Sequence, residues 1–402
     1  MSPLTRLFAA AGLAAVFAAP ALAQTPATAL NGQLNLGDAV AAITVVARDD
    51  ARTAAAIATA AGNAVSGANI TGGLDAQSRQ QMNGKTSATA VLKGGDIHDA
   101  AAMATAQGNT AEAQTVDGAL NLTSAQFTYG DTRAYTRVGI GNARTLTAVS
   151  SAASNNLATA ADHGDLNANL FQQSTASARA VTDVDACCTG YTAAGASSVI
   201  NAWSSSSTTS TVNAEIHQES WGAASEATTD VYQNRAYDVT AATTAAANSA
   251  TMANEWGYAQ LRGSQTNATA VKADTRVTLP QWSGTATVSA YGVGNGLLAT
   301  NVGSDMMINF DQVNTGGVAS NAQFMGGAGG DAIVASTAIG NAFTGYVCSQ
   351  CGDATLGATI NQTNTGNIIS TGSISTNNAG LIVGSASAIG NSATFITSQK
   401  GN

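Results

Sequence analysis

The segment Leu120-Asn-Leu-Thr-Ser-Ala-Gln126 alternates apolar and polar side chains and ends on a glutamine that recurs along the chain. Alternation with a period of two is typical of a half-buried β-strand. The glutamine starts the pattern Gln-x-(Asn/Thr/Ser), which returns about every 46 residues, a period expected of repeat proteins. The pattern begins at Gln81, Gln126, Gln173, Gln218, Gln265, Gln312 and Gln362.

A Gly-Asn step is the second repeated feature. It contains Asn63, Asn109, Asn295, Asn341 and Asn391, with degenerate copies in phase at Asn155-Asn156, Ile200-Asn201 and Ala247-Asn248. Each glutamine precedes the next Gly-Asn step by 27 to 29 residues. Two features that keep one period predict a solenoid, in which each repeat packs only on its neighbours.

The composition favours β-structure over helix. Only 10% of the 402 residues are charged, and 45% are apolar, mostly Ala and Val among Thr, Ser, Asn and Gly. Thr, Ser, Asn and Gly all lower helix propensity. Of four prolines only Pro280 lies within the repeats, which suits continuous ladders of backbone hydrogen bonds. We therefore predict an all-β solenoid.

The repeat length leaves two ways to build the solenoid. We interpret each repeat as two coils of roughly 23 residues, so that about 16 coils stacked at ~4.8 Å would form a rod about 75 Å long. One large coil per repeat is the alternative. In either case the small residues of the interior bury little area each, so stability depends strongly on hydrogen bonds between coils.

The two repeated features have different interpretations. Identical glutamines stacked along the axis can form a ladder of amide hydrogen bonds, while the alternative is that they occupy turns. The Gly-Asn step has the residue types of a tight turn, and we expect a turn there.

The N-terminus has the pattern of an export signal. Arg6 precedes an apolar run, and Ala21-Leu22-Ala23 is a small-x-small cleavage site. We predict a signal peptide at 1–23, a leader at 24–36 and the repetitive solenoid at 37–402, and so an exported protein.

The four cysteines lie in two close pairs, Cys187-Cys188 and Cys348-x-x-Cys351. In an exported protein a local disulfide between Cys348 and Cys351 is the favoured interpretation. The two pairs occupy different phases of the repeat, which argues against a shared zinc site.

Catalytic and cofactor motifs are lacking, so we predict a protein that is not an enzyme and binds no metal or cofactor. The segment Gly326-Gly-Ala-Gly-Gly-Asp-Ala-Ile-Val334 fits one calcium nonapeptide, but such sites need adjacent copies, and a flexible glycine loop is the better interpretation. Asp183 and Asp185 would share a strand face and are the best candidates for a polysaccharide-degrading enzyme. The net charge of −9 argues against nucleic acid as a partner.

The four tryptophans are candidate sugar-stacking residues, because exposed aromatic rings can pack on sugar rings. Trp203, Trp221, Trp256 and Trp282 all lie in the middle part of the chain. Each has a different distance from its nearest repeated feature, so they form no single stripe. Burial or packing at an edge is therefore the favoured interpretation, and sugar stacking is the alternative.

Stretches such as Ala335-Ser-Thr-Ala-Ile-Gly-Asn341 and Ile360-Asn-Gln-Thr-Asn-Thr-Gly366, with the signal peptide and the cysteine pairs, resemble the HfaD family of holdfast anchor proteins from stalked alphaproteobacteria. The resemblance implies a surface protein that attaches adhesive polysaccharide to the cell envelope. It also implies a curlin-like HfaA partner and an outer-membrane lipoprotein, HfaB, and no catalytic residues. The Gln- and Asn-rich repeats are also similar to curlin-type solenoids, although the spacing differs.

The predicted function is therefore anchoring of an adhesive polysaccharide at the outer membrane, by a rod that offers many weak contacts. The alternative is a subunit of an amyloid-like surface fibre that self-associates through its ends. A β-helix enzyme that degrades polysaccharide is a third hypothesis.

Overall fold

The computed structural model describes residues 27–48, 50–348 and 354–398, and this part of the chain is a β-solenoid without helices, which confirms the predicted fold class. The predicted signal peptide and Cys351 lie outside the described residues. The strands, in chain order, are β1 (Ala27–Asn35), β2 (Ala39–Ala47), β3 (Ala51–Asn69), β4 (Leu74–Met82), β5 (Thr86–Gly94), β6 (Ile97–Val116), β7 (Leu120–Thr128), β8 (Thr132–Asp162), β9 (Leu166–Ser174), β10 (Ala178–Thr208), β11 (Val212–Ser220), β12 (Ala224–Glu255), β13 (Ala259–Asn267), β14 (Ala270–Trp282), β15 (Thr285–Val302), β16 (Met306–Asn314), β17 (Val318–Ala328), β18 (Asp331–Cys348), β19 (Leu356–Asn364), β20 (Ile368–Asn378) and β21 (Ile382–Ser398).

Each repeat forms one large coil, so the interpretation of two coils per repeat is wrong. Leu120 in β7 pairs with Leu74 in β4 and with Leu166 in β9, each one full repeat away. Every strand pair among the described residues is parallel and likewise joins residues that lie one repeat apart in the sequence. The described residues make eight coils. At ~4.8 Å per coil the rod is about 38 Å long, half of the expected length.

A coil has two walls that meet at a bend. The shorter wall belongs to a sheet of eight strands, β1-β4-β7-β9-β11-β13-β16-β19, each of nine residues. We call this the first sheet. The longer wall belongs to a second sheet of thirteen strands, in which β8, β10 and β12 run unbroken for more than 30 residues while other coils divide the same path into two strands.

The walls enclose two separate cores. One lies within the folded second sheet and consists mainly of Ala and Val, as the composition predicts. The other lies between the first sheet and the end of the long wall, and it contains larger side chains such as Leu170, Phe310 and Phe343. The small side chains thus fill the core within the second sheet, and the larger ones fill the core beside the first sheet.

The corner before each of five strands of the first sheet, β7, β9, β11, β13 and β16, uses a residue in the left-handed region. Asp117, His163, Thr209 and Trp256 have φ between 54° and 60° there, and the next coil has Gly303 with a φ of 86°. A Cβ atom added to Gly303 would lie 2.5 Å from the Trp256 ring. The glycine therefore both accepts the left-handed backbone and leaves space for the tryptophan of the preceding coil.

The first coil begins within the interval that was expected to be a leader, because β1 (Ala27–Asn35) pairs with β4 over its whole length. Nowhere in the part of the chain that the structure describes is there an apolar helix of membrane-spanning length.

Candidate functional site

A buried ladder of glutamine amides runs along the axis on the inner side of the first sheet. Gln126 Nε2 donates to Gln80 Oε1 at 2.8 Å and also to the backbone oxygen of Asn156 at 3.0 Å. Both amide hydrogens are thus used, one along the axis and one across the coil to the long wall. The same pattern recurs at Gln80, Gln172, Gln218, Gln265, Gln312 and Gln362, and Gln33 begins the ladder with the bond across the coil alone.

Two of the glutamines expected in this ladder lie outside it. Gln81 and Gln173 point outward, where Gln81 donates to Asn83 and Gln173 donates to Glu219. Their immediate neighbours Gln80 and Gln172 take the inward positions. Successive side chains of a strand point to opposite faces, so a shift of one residue decides between the core and the surface.

The asparagine of the Gly-Asn step forms a second buried ladder, and the expectation of a turn there is wrong. Asn109 Nδ2 donates to Asn155 Oδ1 at 2.8 Å and to the backbone oxygen of Phe127, at the end of the first sheet, at 2.8 Å. The step lies within the strand, at the bend of the long wall. The ladder consists of Asn63, Asn109, Asn155, Asn201, Asn248, Asn295, Asn341 and Asn391.

The two ladders have opposite polarity. Each glutamine donates its axial hydrogen bond to the preceding coil, as Gln218 does to Gln172. Each asparagine donates to the following coil, as Asn201 does to Asn248. Together they join the two walls between the cores and fix the register of each coil on its neighbours.

The tryptophans divide into two buried and two exposed residues. Trp203 and Trp282 are buried, which agrees with the favoured interpretation and excludes these two as candidates for sugar contact. Trp282 donates its indole N–H to the Asp331 backbone oxygen at 3.1 Å, and its ring lies against the backbone of Gly326 and Gly329. The glycine-rich segment is therefore not a flexible loop but the surface on which this ring packs.

Trp221 and Trp256 are exposed, with 50% and 46% of their surface accessible, so a ligand could reach either ring. Trp221 follows the end of β11 at the corner of the first sheet, and its indole N–H donates to Glu219 at 3.2 Å. Tyr129 occupies the same corner two coils earlier, since the amides of both residues donate to the equivalent backbone oxygen of the coil before. Tyr129 is also exposed.

The cysteines give no metal site among the described residues, where no group of three metal-binding side chains occurs. The sulfurs of Cys187 and Cys188 lie 2.8 Å apart at the surface. The disulfide predicted between Cys348 and Cys351 stays a prediction, because Cys351 lies outside the described residues.

A polar concavity on the outer face of the first sheet forms a groove, which we call the axial groove. Its volume is about 590 Å³, and it crosses six strands from β1 to β13. Its side chains are amides and hydroxyls with few charges. The outward residues that line it are Thr28, Asp75, Gln77, Asn121, Thr123, Asn167, Asn169, Asn213, Glu215, Gln260 and Arg262.

An exposed row of side chains forms the floor of the axial groove. Asn121 donates to Asp75 at 2.6 Å, Asn167 donates to Asn121 at 2.9 Å, and Asn213 donates to Asn167 at 3.1 Å. Unlike in the buried ladders, each of these amides keeps a second N–H that makes no recorded bond within the described residues. The row therefore presents fixed donors and acceptors at a spacing of ~4.8 Å along a rigid sheet.

An aromatic border runs beside the groove. Phe127 and Phe171 project from the far end of the same outer face, and their ring centroids lie 5.6 Å apart. The guanidinium carbon of Arg79 lies over the Phe127 ring, 5.2 Å from its centroid. Tyr129 and Trp221 continue this border at the corner. The first sheet thus combines a polar floor with an aromatic edge, the two components that bind the hydroxyls and the apolar faces of sugars.

The outer face of the second sheet carries a different pattern, a column of charges. Asp183 and Asp185 both lie on this face, the arrangement that their spacing predicts, and Asp183 lies 3.5 Å from the Arg137 guanidinium. Asp230 follows Asp183 in the column and Arg276 follows Asp230. Burial raises the pKa of Asp230 above its ordinary value of 3.8; Arg276 opposes the shift and Asp183 adds to it.

This raised pKa gives a testable pH dependence. The folded state binds the Asp230 proton more tightly than the unfolded state, so the wild type loses stability as the pH rises through the raised pKa. We expect Asp230→Asn to have a higher urea midpoint than the wild type at pH 7, and the difference to vanish near pH 3. Asp185→Asn, an exposed carboxylate on the same face, is the matched control. An equal gain for Asp230→Asn at both pH values would contradict the assignment.

Sequence reasoning missed the axial groove. A signal was present, since Asn121, Asn167 and Asn213 recur at intervals of 46 residues. Their meaning depends on the register, because only a coil of one full repeat places them in one row on one face.

Comparison with known proteins supplies one match. The family model HfaD, described as holdfast attachment protein D, matches residues 47–317, more than half of the chain. No curated protein matches the sequence. No solved structure matches it either.

Proposed function

Since the chain belongs to the HfaD family of holdfast attachment proteins, we propose that it anchors the holdfast polysaccharide to the cell envelope and that the axial groove holds this polysaccharide. The exposed row from Asp75 to Asn213 carries the proposal, because its amides have hydrogen-bonding capacity left for a ligand. The earlier resemblance to this family is confirmed.

The chemistry of the groove suits an extended glycan. Sugar hydroxyls both donate and accept, and an amide side chain offers both functions without the desolvation cost of a full charge. The few charges lie towards the ends of the groove, with Asp75 at one and Glu215 and Arg262 at the other. A polymer lying along the axis would meet similar groups at every coil, so weak contacts would add up along it.

Rigidity supports the anchoring role. The row lies on parallel strands whose inner faces are fixed by the glutamine ladder, so little order has to be gained when a ligand binds. The aromatic border formed by Phe127, Phe171, Tyr129 and Trp221 offers stacking surfaces beside the polar floor. Trp256 lies at a different corner and is not part of this site.

The proposed location follows from the family and the sequence together. Membership of a holdfast attachment family supports a location at the cell surface or envelope, together with other holdfast proteins. We propose that the segment 1–23 directs export, that the rod is associated with the outer membrane, and that HfaA-like and HfaB-like proteins are its partners. We propose further that attachment involves no catalysis.

The test combines gene deletion with a groove variant. Cells lacking the gene are expected to shed fluorescently labelled holdfast into the medium. The triple variant Asn121→Ala, Asn167→Ala, Asn213→Ala removes the exposed row. We expect cells that produce this variant to shed nearly as much holdfast as the deletion strain, while the amount of the variant protein on the cell surface stays normal. In binding to purified holdfast polysaccharide, its Kd is expected to rise at least about tenfold, because three side-chain hydrogen bonds are lost.

The matched control changes three outward asparagines of the second sheet, as Asn142→Ala, Asn234→Ala, Asn321→Ala. We expect normal attachment from this variant. Shedding by the deletion strain but not by the groove variant would show that the protein anchors through another surface. Normal attachment in the deletion strain would refute the anchoring function itself.

A second function, as a subunit of a surface fibre, has one specific observation in its favour. Among the described residues, the strands of the first and last coils are paired on one side only.

A further inference from the structure

In the part of the chain that the structure describes, both ends of the rod expose open strand edges. Within this part the first coil, β1 to β3, pairs only with the second, and the last coil, β19 to β21, pairs only with the seventh. Alternate backbone N–H and C=O groups of these strands point away from the rod, and such an edge is a template for another strand. The cores are open here as well, since Val45 in the first coil and Ile374 in the last are only partly buried.

The two ends are chemically complementary in both amide ladders. At the first coil, Gln33 Nε2 donates to Ala64 O, and its second hydrogen has no partner among the described residues. At the last coil, Gln362 Oε1 accepts no hydrogen bond from them. In the other ladder, and again among the described residues, Asn63 Oδ1 has no donor and Asn391 Nδ2 makes one long hydrogen bond, of 3.4 Å.

We propose that copies of this chain stack head to tail, with the last coil of one copy pairing in parallel with the first coil of the next. In this arrangement Gln33 of the incoming copy donates to Gln362, and Asn391 donates to Asn63. Both ladders then continue across the junction with the direction that they have inside each rod. The proposal is independent of the glycan groove.

The parallel pairing of the coils selects this arrangement over the symmetric ones. A two-fold axis that placed two first coils or two last coils together would run their strands antiparallel, so the parallel columns that run through each rod could not continue across the junction. A heterologous contact that repeats without closing generates a filament, and each copy would add about 38 Å to it.

The side chains at the two ends also match. The strands β1 and β19 both have nine residues, and both end in an asparagine followed two residues later by glycine, Asn35 with Gly37 and Asn364 with Gly366. Val40 and Ile369 begin and end one outer column, and they are 68% and 55% exposed. Stacking would cover part of both side chains with apolar surface.

Cysteine cross-linking tests the junction and its register. Leu30 and Thr359 begin and end the same outer column, so stacking places them opposite each other, at the spacing that a disulfide accepts. The double variant Leu30→Cys, Thr359→Cys, with Cys187→Ser and Cys188→Ser, is expected to form a series of multimers on non-reducing gels after oxidation with copper-phenanthroline. The full chain purified after export is used.

The matched control moves one cysteine by two residues. In Thr28→Cys, Thr359→Cys the Cα atoms would be about 8 Å apart across the junction, too far for a disulfide, and we expect at least fivefold less product. The chain without added cysteines is expected to sediment faster as its concentration rises. Monomers at every concentration without cross-linked product, or efficient dimers from Leu30→Cys alone, would overturn head-to-tail stacking.

Discussion

Replacing Asn201 by leucine is expected to lower the free energy of unfolding by about 3 to 9 kcal/mol, because it breaks the asparagine ladder at mid-rod. Asn201 is fully buried. Its Nδ2 donates to Glu219 O and Asn248 Oδ1, and its Oδ1 accepts from Asn155. Leucine has a similar volume but leaves these three groups without partners, and each buried orphan costs about 1 to 3 kcal/mol.

Urea unfolding followed by circular dichroism measures the effect. Asn213→Leu is the matched control, since Asn213 lies in the neighbouring strand of the same region and also bonds along the axis, but on the exposed outer face. We expect a change below about 0.5 kcal/mol there. Equal losses for the two variants would mean that the buried ladder contributes no more than a surface hydrogen bond.

The prediction also has a spatial part. In a solenoid, each coil is stabilised only by its neighbours, so a defect weakens the rod locally. Hydrogen exchange should therefore accelerate most in the coils that contain Asn155, Asn201 and Asn248, and least in the terminal coils. Uniform acceleration along the rod would instead indicate fully cooperative unfolding.

The period and the strand character could be read from the sequence because they depend on local pattern alone. Gln126 sits at the end of an alternating segment, and its spacing from other glutamines is visible without any structure. The choice between Gln80 and Gln81 was not visible in the same way. Both are glutamines in one strand, and only the direction of the side chain relative to the core separates them.

The remaining errors have a common physical cause, which is that tertiary contacts decide them. The Gly-Asn step has the composition of a turn, yet hydrogen bonds to the first sheet hold Asn109 inside a bent strand. Trp203 and Trp282 are excluded as candidates for a sugar site for the same reason, because burial of their large apolar area in the two cores dominates. The groove required the register, which depends on the number of coils per repeat.

Removing one full repeat is expected to leave a folded rod, whereas removing half a repeat is expected to abolish folding. Deletion of residues 156–201 joins Asn155 to Ala202, and because Asn155 and Asn201 are partners in the ladder every later column keeps its neighbours. Such a rod would be shorter by ~4.8 Å and lose only the contacts of one coil. It should keep a cooperative urea transition and the far-ultraviolet spectrum of β-structure.

Deletion of residues 156–178 is the contrasting variant. It removes 23 residues and would join the bend of one coil to the middle of another wall, so that the glutamine and asparagine ladders could not both continue. Unpaired amides would then face apolar cores, at a cost of about 1 to 3 kcal/mol for each group. A coil of roughly 23 residues would tolerate this deletion as well as the longer one. A cooperative transition in both variants would therefore contradict the single large coil, and its loss in the shorter deletion alone would establish that one repeat is the smallest unit that can be removed.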